Sequence, residues 1–225
     1  MVLQSLSLIL FGAAGALALH VPGCAPGEDA SVVSESVFQV PDPNAGFALT
    51  NLMLAYFTCA SRQALFRNAS KHQTLIDLCG IMDSSSVFSS TFNCIQGPGP
   101  NPKVRDCLDV AAAVTDSESA FLSARCLLRQ HLFLPGFIRP MEVVIPALEG
   151  LAVSMANNSC AFVFLNDDAN DDYSTCFHTI PDMAQDIGEE CIGEQDGFVG
   201  FVRSPIQPGV QNWEVHIVAS KSLDN

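Results

Sequence analysis

Positive charge is scarce in this sequence. Its 225 residues hold 10 Lys and Arg against 24 Asp and Glu, for a formal charge of −14. A polyanion would be repelled overall, and no basic stripe with interleaved aromatics offsets that repulsion, so no nucleic-acid partner is expected. An anionic membrane surface is disfavoured on the same ground. Charged residues of both signs make up only 15% of the chain while hydrophobic residues reach 48%. That balance excludes a disordered chain, which stays unfolded only when apolar surface is sparse. A chain of this length buries roughly 70% of its unfolded surface, and one domain is expected.

Close cysteine pairs are also missing. No two of the nine cysteines lie nearer than thirteen positions apart, so there is no C-x-x-C knuckle to hold zinc. Neither G-x-S-x-G nor H-E-x-x-H occurs. Cys176-Phe177-His178 sets a thiol beside an imidazole, but in an oxidising compartment such a cysteine is far more readily bridged than nucleophilic. His72, His131 and His216 stand singly in apolar or mixed surroundings and read as ordinary packed or surface histidines. No internal repeat is visible, no motif points to a known family, and no cofactor or enzymatic activity is expected.

What is present points to export. Leu6 to Leu19 is apolar or small apart from Ser7, and Ala16-Leu17-Ala18 supplies a small-x-small cleavage pattern, so residues 1–18 are expected to be a signal peptide. The run is too short to span a bilayer before Pro22-Gly23, and no membrane span is expected once it is removed. Cys59, Cys79, Cys94, Cys107, Cys126, Cys160, Cys176 and Cys191 are then expected to form about four disulfides. Their connectivity is open, since eight cysteines pair in 105 ways. Cys24, near the mature N-terminus, is the candidate free or intermolecular thiol, which would permit a disulfide-linked dimer; the alternative is that Cys24 pairs internally and another cysteine is left over. Two N-x-S/T sequons, at Asn68 and Asn157, fall where loops are expected and are candidate glycosylation sites.

The fold expected is mainly α: an irregular, disulfide-stapled bundle of five or six short helices with a small C-terminal β element. Residues 19–40 read as an extended lead-in and 41–225 as a single cysteine-rich domain. A helix is expected from Asp42, with Pro43 at its first position and a stripe of Leu49, Leu52, Met53, Tyr56, Phe57, Ala60 and Ala64. Further helices are expected over 71–82, over 103–134 with a fresh start at the capping box Thr115–Glu118, over 140–155 with a bend at Pro146, and over 181–191. Residues 83–102 read as a long loop bracketed by Cys94 and Cys107. Ala161–Leu165, Phe198–Arg203 and Trp213–Ala219 read as strands, the last two as a hairpin-like pair.

The sharpest irregularity is charge placement: residues 141–202 contain no Lys or Arg yet hold twelve of the 24 acidic residues. Asp167, Asp168, Asp171 and Asp172 crowd one loop, and Asp182, Asp186 and Glu189 share a face of the helix expected over 181–191. Read as an EF-hand, the loop puts Tyr173 where glycine belongs and Thr179 where the bidentate glutamate belongs, so it is not one; a solvated acidic surface is the simpler reading. The expectation is a secreted, non-enzymatic binding protein whose acidic 141–202 surface meets an extracellular protein or basic ligand. A carrier of a small apolar ligand, using the fifteen Phe and six Met, is the alternative, and an extracellular hydrolase a more remote one.

Overall fold

Two antiparallel neighbours at the middle of a wide sheet organise this molecule, and the sheet, not a helix bundle, is its frame. The computed structural model describes residue 24 and residues 30–44, 48–60, 75–78, 92–96, 102–129, 142–177, 179–187, 191, 198–203 and 213–220. Among these, strand residues outnumber helical ones about two to one, which overturns the expectation of a mainly α fold. The strands are β1 (Ala30–Pro41), β2 (Leu49–Cys59), β3 (Leu75–Asp77), β4 (Phe92–Gln96), β5 (Glu142–Ile145), β6 (Glu149–Met155), β7 (Cys160–Asn166), β8 (Asp172–Cys176), β9 (Phe198–Arg203) and β10 (Trp213–Ala219). The helices are α1 (Val104–Arg129) and α2 (Thr179–Ile187). Seven strands form one antiparallel sheet in the order β1-β2-β6-β7-β10-β9-β4, and β3-β8-β5 form a second sheet. In the second, β3 runs parallel and β5 antiparallel to β8.

Three expected helices are strands, for identifiable reasons. Over Leu49–Cys59 the apolar residues suit either period, but Leu52 and Leu54 are buried on one side while Phe57 and Cys59 are buried further along. Asp42 does not cap a helix. It accepts the Asn44 N–H at 2.8 Å, an Asx turn that reuses the capping chemistry to reverse the chain between β1 and β2. The lead-in 19–40 accordingly contains most of the edge strand β1. Over 140–155, β-branched Val143, Val144 and Ile145 favour extension, and Pro146 opens a turn rather than bending a helix. The Glu149 N–H closes that turn on the Pro146 carbonyl at 3.1 Å, with Leu148 left-handed at φ 61°. The described part of the helix expected over 71–82 is β3. The described part of the loop expected over 83–102 includes β4.

α1, α2 and the strands β7, β9 and β10 match the sequence reading in kind. α1 is continuous through Thr115, whose hydroxyl donates to the Ala111 carbonyl at 3.1 Å instead of capping a new helix. Cys107, Val110, Ala113 and Val114 are its buried face. α2 buries Ile180, Met183, Ala184 and Ile187.

The core lies on both sides of the large sheet. One cluster joins α1, α2 and the small sheet to Leu52, Leu54, Leu151, Phe162, Phe164, Trp213, Val215 and Ile217, with Phe164 stacked on Trp213 at 5.9 Å. The other gathers Ala30, Phe57, Ala152, Ala161, Val163, Leu165 and Val218. Three disulfides tie this frame: Cys24–Cys59, Cys94–Cys191 and Cys107–Cys160. Cys24 is therefore bridged rather than the odd thiol, and Cys94 and Cys107 do not clamp a loop between them but reach separate partners. With loops of 35, 97 and 53 residues, each bridge stabilises by about 4–5 kcal/mol if chain entropy alone is counted. The signal peptide expected over 1–18 and the sequon at Asn68 lie outside the described residues.

Two outcomes follow from this packing. A Cβ on Gly150 would sit 2.3 Å from the Phe57 ring, which is 1% exposed, so Gly150→Ala is expected to lower stability by about 1–3 kcal/mol, read as a fall in Tm. Cys176 is also bridged, to a cysteine whose side chain is not among those described. Cys79 stands two positions past Asp77 as Cys176 stands two past Ser174, and Asp77 pairs with Ser174. Peptide mapping is expected to recover Cys79–Cys176 and to find the free thiol at Cys126; a Cys126–Cys176 peptide would refute this.

Candidate functional site

The acidic stretch splits into two parts with different physical roles. The first is the β7–β8 connection. Asn166, fully buried at the end of β7, donates through Nδ2 to the carbonyls of Ile145 at 3.0 Å and Asp171 at 2.9 Å. Its Oδ1 accepts the Asp168 N–H at 2.9 Å. Asp168 Oδ1 in turn accepts the N–H groups of Asn170 (2.8 Å) and Asp171 (3.2 Å), and the Tyr173 hydroxyl donates to Asp168 Oδ2 at 3.4 Å. Asp172 Oδ1 accepts the Ala147 N–H at 2.9 Å, and the Asp168 carbonyl accepts the Leu148 N–H at 3.0 Å. Side-chain oxygens here satisfy backbone donors in a tight turn and fasten it to the Pro146–Glu149 turn. Asp167, Asp168, Asp171 and Asp172 are all half-buried, so this loop is built inward. Among the described residues no group of three or more His, Cys, Asp or Glu could hold a metal ion.

The second part is α2. Asp182, Gln185 and Asp186 are exposed on the face opposite its buried residues. Glu189 lies outside the described residues. β8 separates the loop from the start of α2 by about 13 Å at the usual rise per residue, so the structure does not join the two parts through neighbouring positions.

Beside the loop, Glu149 shares a half-buried corner with Tyr56 and Asp172. Burial first, and then the negative charge of Asp172, hold the Glu149 carboxyl above the usual carboxylate range. Burial and then Glu149 likewise raise the Tyr56 hydroxyl above its ordinary value of 10.0.

A pair that residue-by-residue reading missed lies on β10. Glu214 and His216 are 8% and 5% exposed, and His216 Nε2 meets Glu214 Oε2 at 2.8 Å while the ring stacks on Phe201 at 5.1 Å. The period-2 alternation of Trp213–Ala219 carried the signal, because it puts positions 214 and 216 on one face. Among the described residues no hydroxyl or thiol is hydrogen-bonded to His216. Cys176, the thiol beside an imidazole in sequence, is bridged. The phenylalanines Phe57, Phe162, Phe164 and Phe177 are packed in the two core clusters, and among the described residues no helix is long and apolar enough to cross a membrane.

Because the folded state holds the Glu149 proton more tightly than the unfolded state does, its contribution to stability is full at acid pH and is lost as pH rises through its titration. Glu149→Gln is expected to raise Tm at pH 7 and to lose that advantage progressively toward pH 4, checked by paired melts. A gap independent of pH would refute the assignment. Comparison with known proteins finds no matching family, no matching curated protein and no matching solved structure.

Proposed function

We propose that this chain is an exported, disulfide-bonded glycoprotein that works by binding a basic extracellular partner through the exposed acidic face of α2. Three bridges among the described cysteines, and a fourth at Cys176, support an oxidising compartment. Asn157 is exposed on the β6–β7 turn, which suits a bulky glycan.

One observation carries the binding reading: α2 holds Asp182 and Asp186 exposed on the face turned away from its buried residues. Asp182 in the first turn favours the helix dipole, and Asp186 follows four residues later, in a helix whose own last turn contains no basic residue. The loop carboxylates are half-buried, whereas those of α2 are exposed. A negative face exposed to solvent, on a chain of formal charge −14, is suited to a partner of opposite sign.

The variant Asp182→Asn/Asp186→Asn is expected to remain folded, as read by a cooperative melt, while abolishing salt-sensitive capture of a basic protein from the native extracellular fluid. Capture by the variant equal to that by the wild type would overturn the proposal.

A further inference from the structure

We propose that glycan attachment at Asn157 competes with closure of the Cys107–Cys160 bridge, so that Asn157 is glycosylated before α1 docks on the β6–β7 turn or is not glycosylated at all. This rests on the reading of the chain as exported. In the transfer step a lipid-linked oligosaccharyl diphosphate is the donor. Its sugar C1–O bond to the diphosphate breaks, a C1–Nδ2 bond to Asn157 forms, and the amide proton leaves to solvent as the diphosphate departs. The acceptor must offer both the asparagine amide and the hydroxyl two positions on, which requires an open segment.

The folded turn withdraws that hydroxyl. Asn157 is left-handed at φ 61°, and the Asn158 N–H closes the turn on the Met155 carbonyl. The Ser159 hydroxyl donates to Asp106 Oδ2 and accepts the Lys103 N–H at 2.9 Å. The Ser159 N–H donates to the same Asp106 oxygen at 2.9 Å, and Asn158 Nδ2 donates to the Asp106 carbonyl at 2.9 Å. The next residue, Cys160, is bridged to Cys107, the neighbour of Asp106. From the other side the Ser220 N–H donates to the Ser159 carbonyl at 2.9 Å, and the Ser220 hydroxyl donates to the Asn158 carbonyl.

Chain order makes this a race. Asp106 and Cys107 precede Ser159 and Cys160 by 53 residues, so the docking surface is already synthesised when the sequon emerges. Closure passes two protons and two electrons from the thiols to a protein disulfide oxidant, which becomes a dithiol. Once made, the bridge holds Ser159 against α1. A glycan added first causes no conflict, because the Asn157 side chain faces solvent; both forms fold, and the product is a mixture.

The full chain is translated with endoplasmic-reticulum microsomes, behind its own leader and behind an established one, and occupancy at Asn68 and Asn157 is read separately by mass spectrometry. Wild type is expected to be partly occupied at Asn157. Cys107→Ser should raise that occupancy with Asn68 unchanged, and a variant that does not fold still reports, since the acceptor is an open chain. Cys24→Ser breaks a bridge at the far end of β2 from Asn51, whose carbonyl accepts the Ala156 N–H, and should change nothing. Full occupancy in the wild type, no rise in Cys107→Ser, or an equal rise in Cys24→Ser would overturn the competition. Delivery by the established leader alone would overturn the export reading while leaving the competition tested.

Discussion

Burial of the central strands on both faces is the constraint from which the rest of the molecule follows. Every residue of β7 is buried, as are the first six of β10. An antiparallel sheet with one wet face alternates apolar and polar residues; here Phe162 and Phe164 enter one core while Ala161, Val163 and Leu165 enter the other. Two cores demand two sets of covering elements. On the first side the covering comes so close that a Cβ on Gly200 would lie 2.4 Å from Ile187 and 3.1 Å from the Cys191 sulfur. On the second side two polar residues of β10, Glu214 and His216, are kept from water and satisfy each other.

The same constraint decided what could be read from the residues. A strand buried on both faces loses its period-2 signature, and a mixed apolar run then fits a helical stripe as well as a pleated one. Leu49–Cys59 and Glu149–Met155 were open to that error, and only pairing with each other, Leu52 to Met155 through Thr58 to Glu149, resolves them. Pairing is a long-range fact that no local window contains. α1 and α2 were legible because each leaves a face in solvent, and β9 and β10 because short apolar runs bounded by turn residues leave little room for a helix. Cysteine spacing pointed to a disulfide framework but not to the partners, since each bridge joins segments that only the fold brings together.

Acidity proved to be two properties under one composition. In the β7–β8 loop, Asn and Asp oxygens replace the backbone acceptors that a turn lacks, so a dense acidic run is an architectural device there, with the charge an accompaniment. On α2 the carboxylates take no part in the core and face solvent. Sequence density pointed to the loop as the salient feature; burial transfers that weight to the helix.

β1 ends the seven-stranded order, and such a boundary invites recruitment of another chain. It is twelve residues long, with Val33 and Val37 about half exposed, a profile that could template ordered stacking. The strand is spoiled for that purpose from within. Its register slips between Val32 and Ser34, Glu35 puts a charge at mid-length, and Pro41 removes a donor at its close. Together with a strongly negative whole, these irregularities make this edge of the sheet a poor seed for fibril growth, so a frame that is wide and greasy within need not recruit a second copy there.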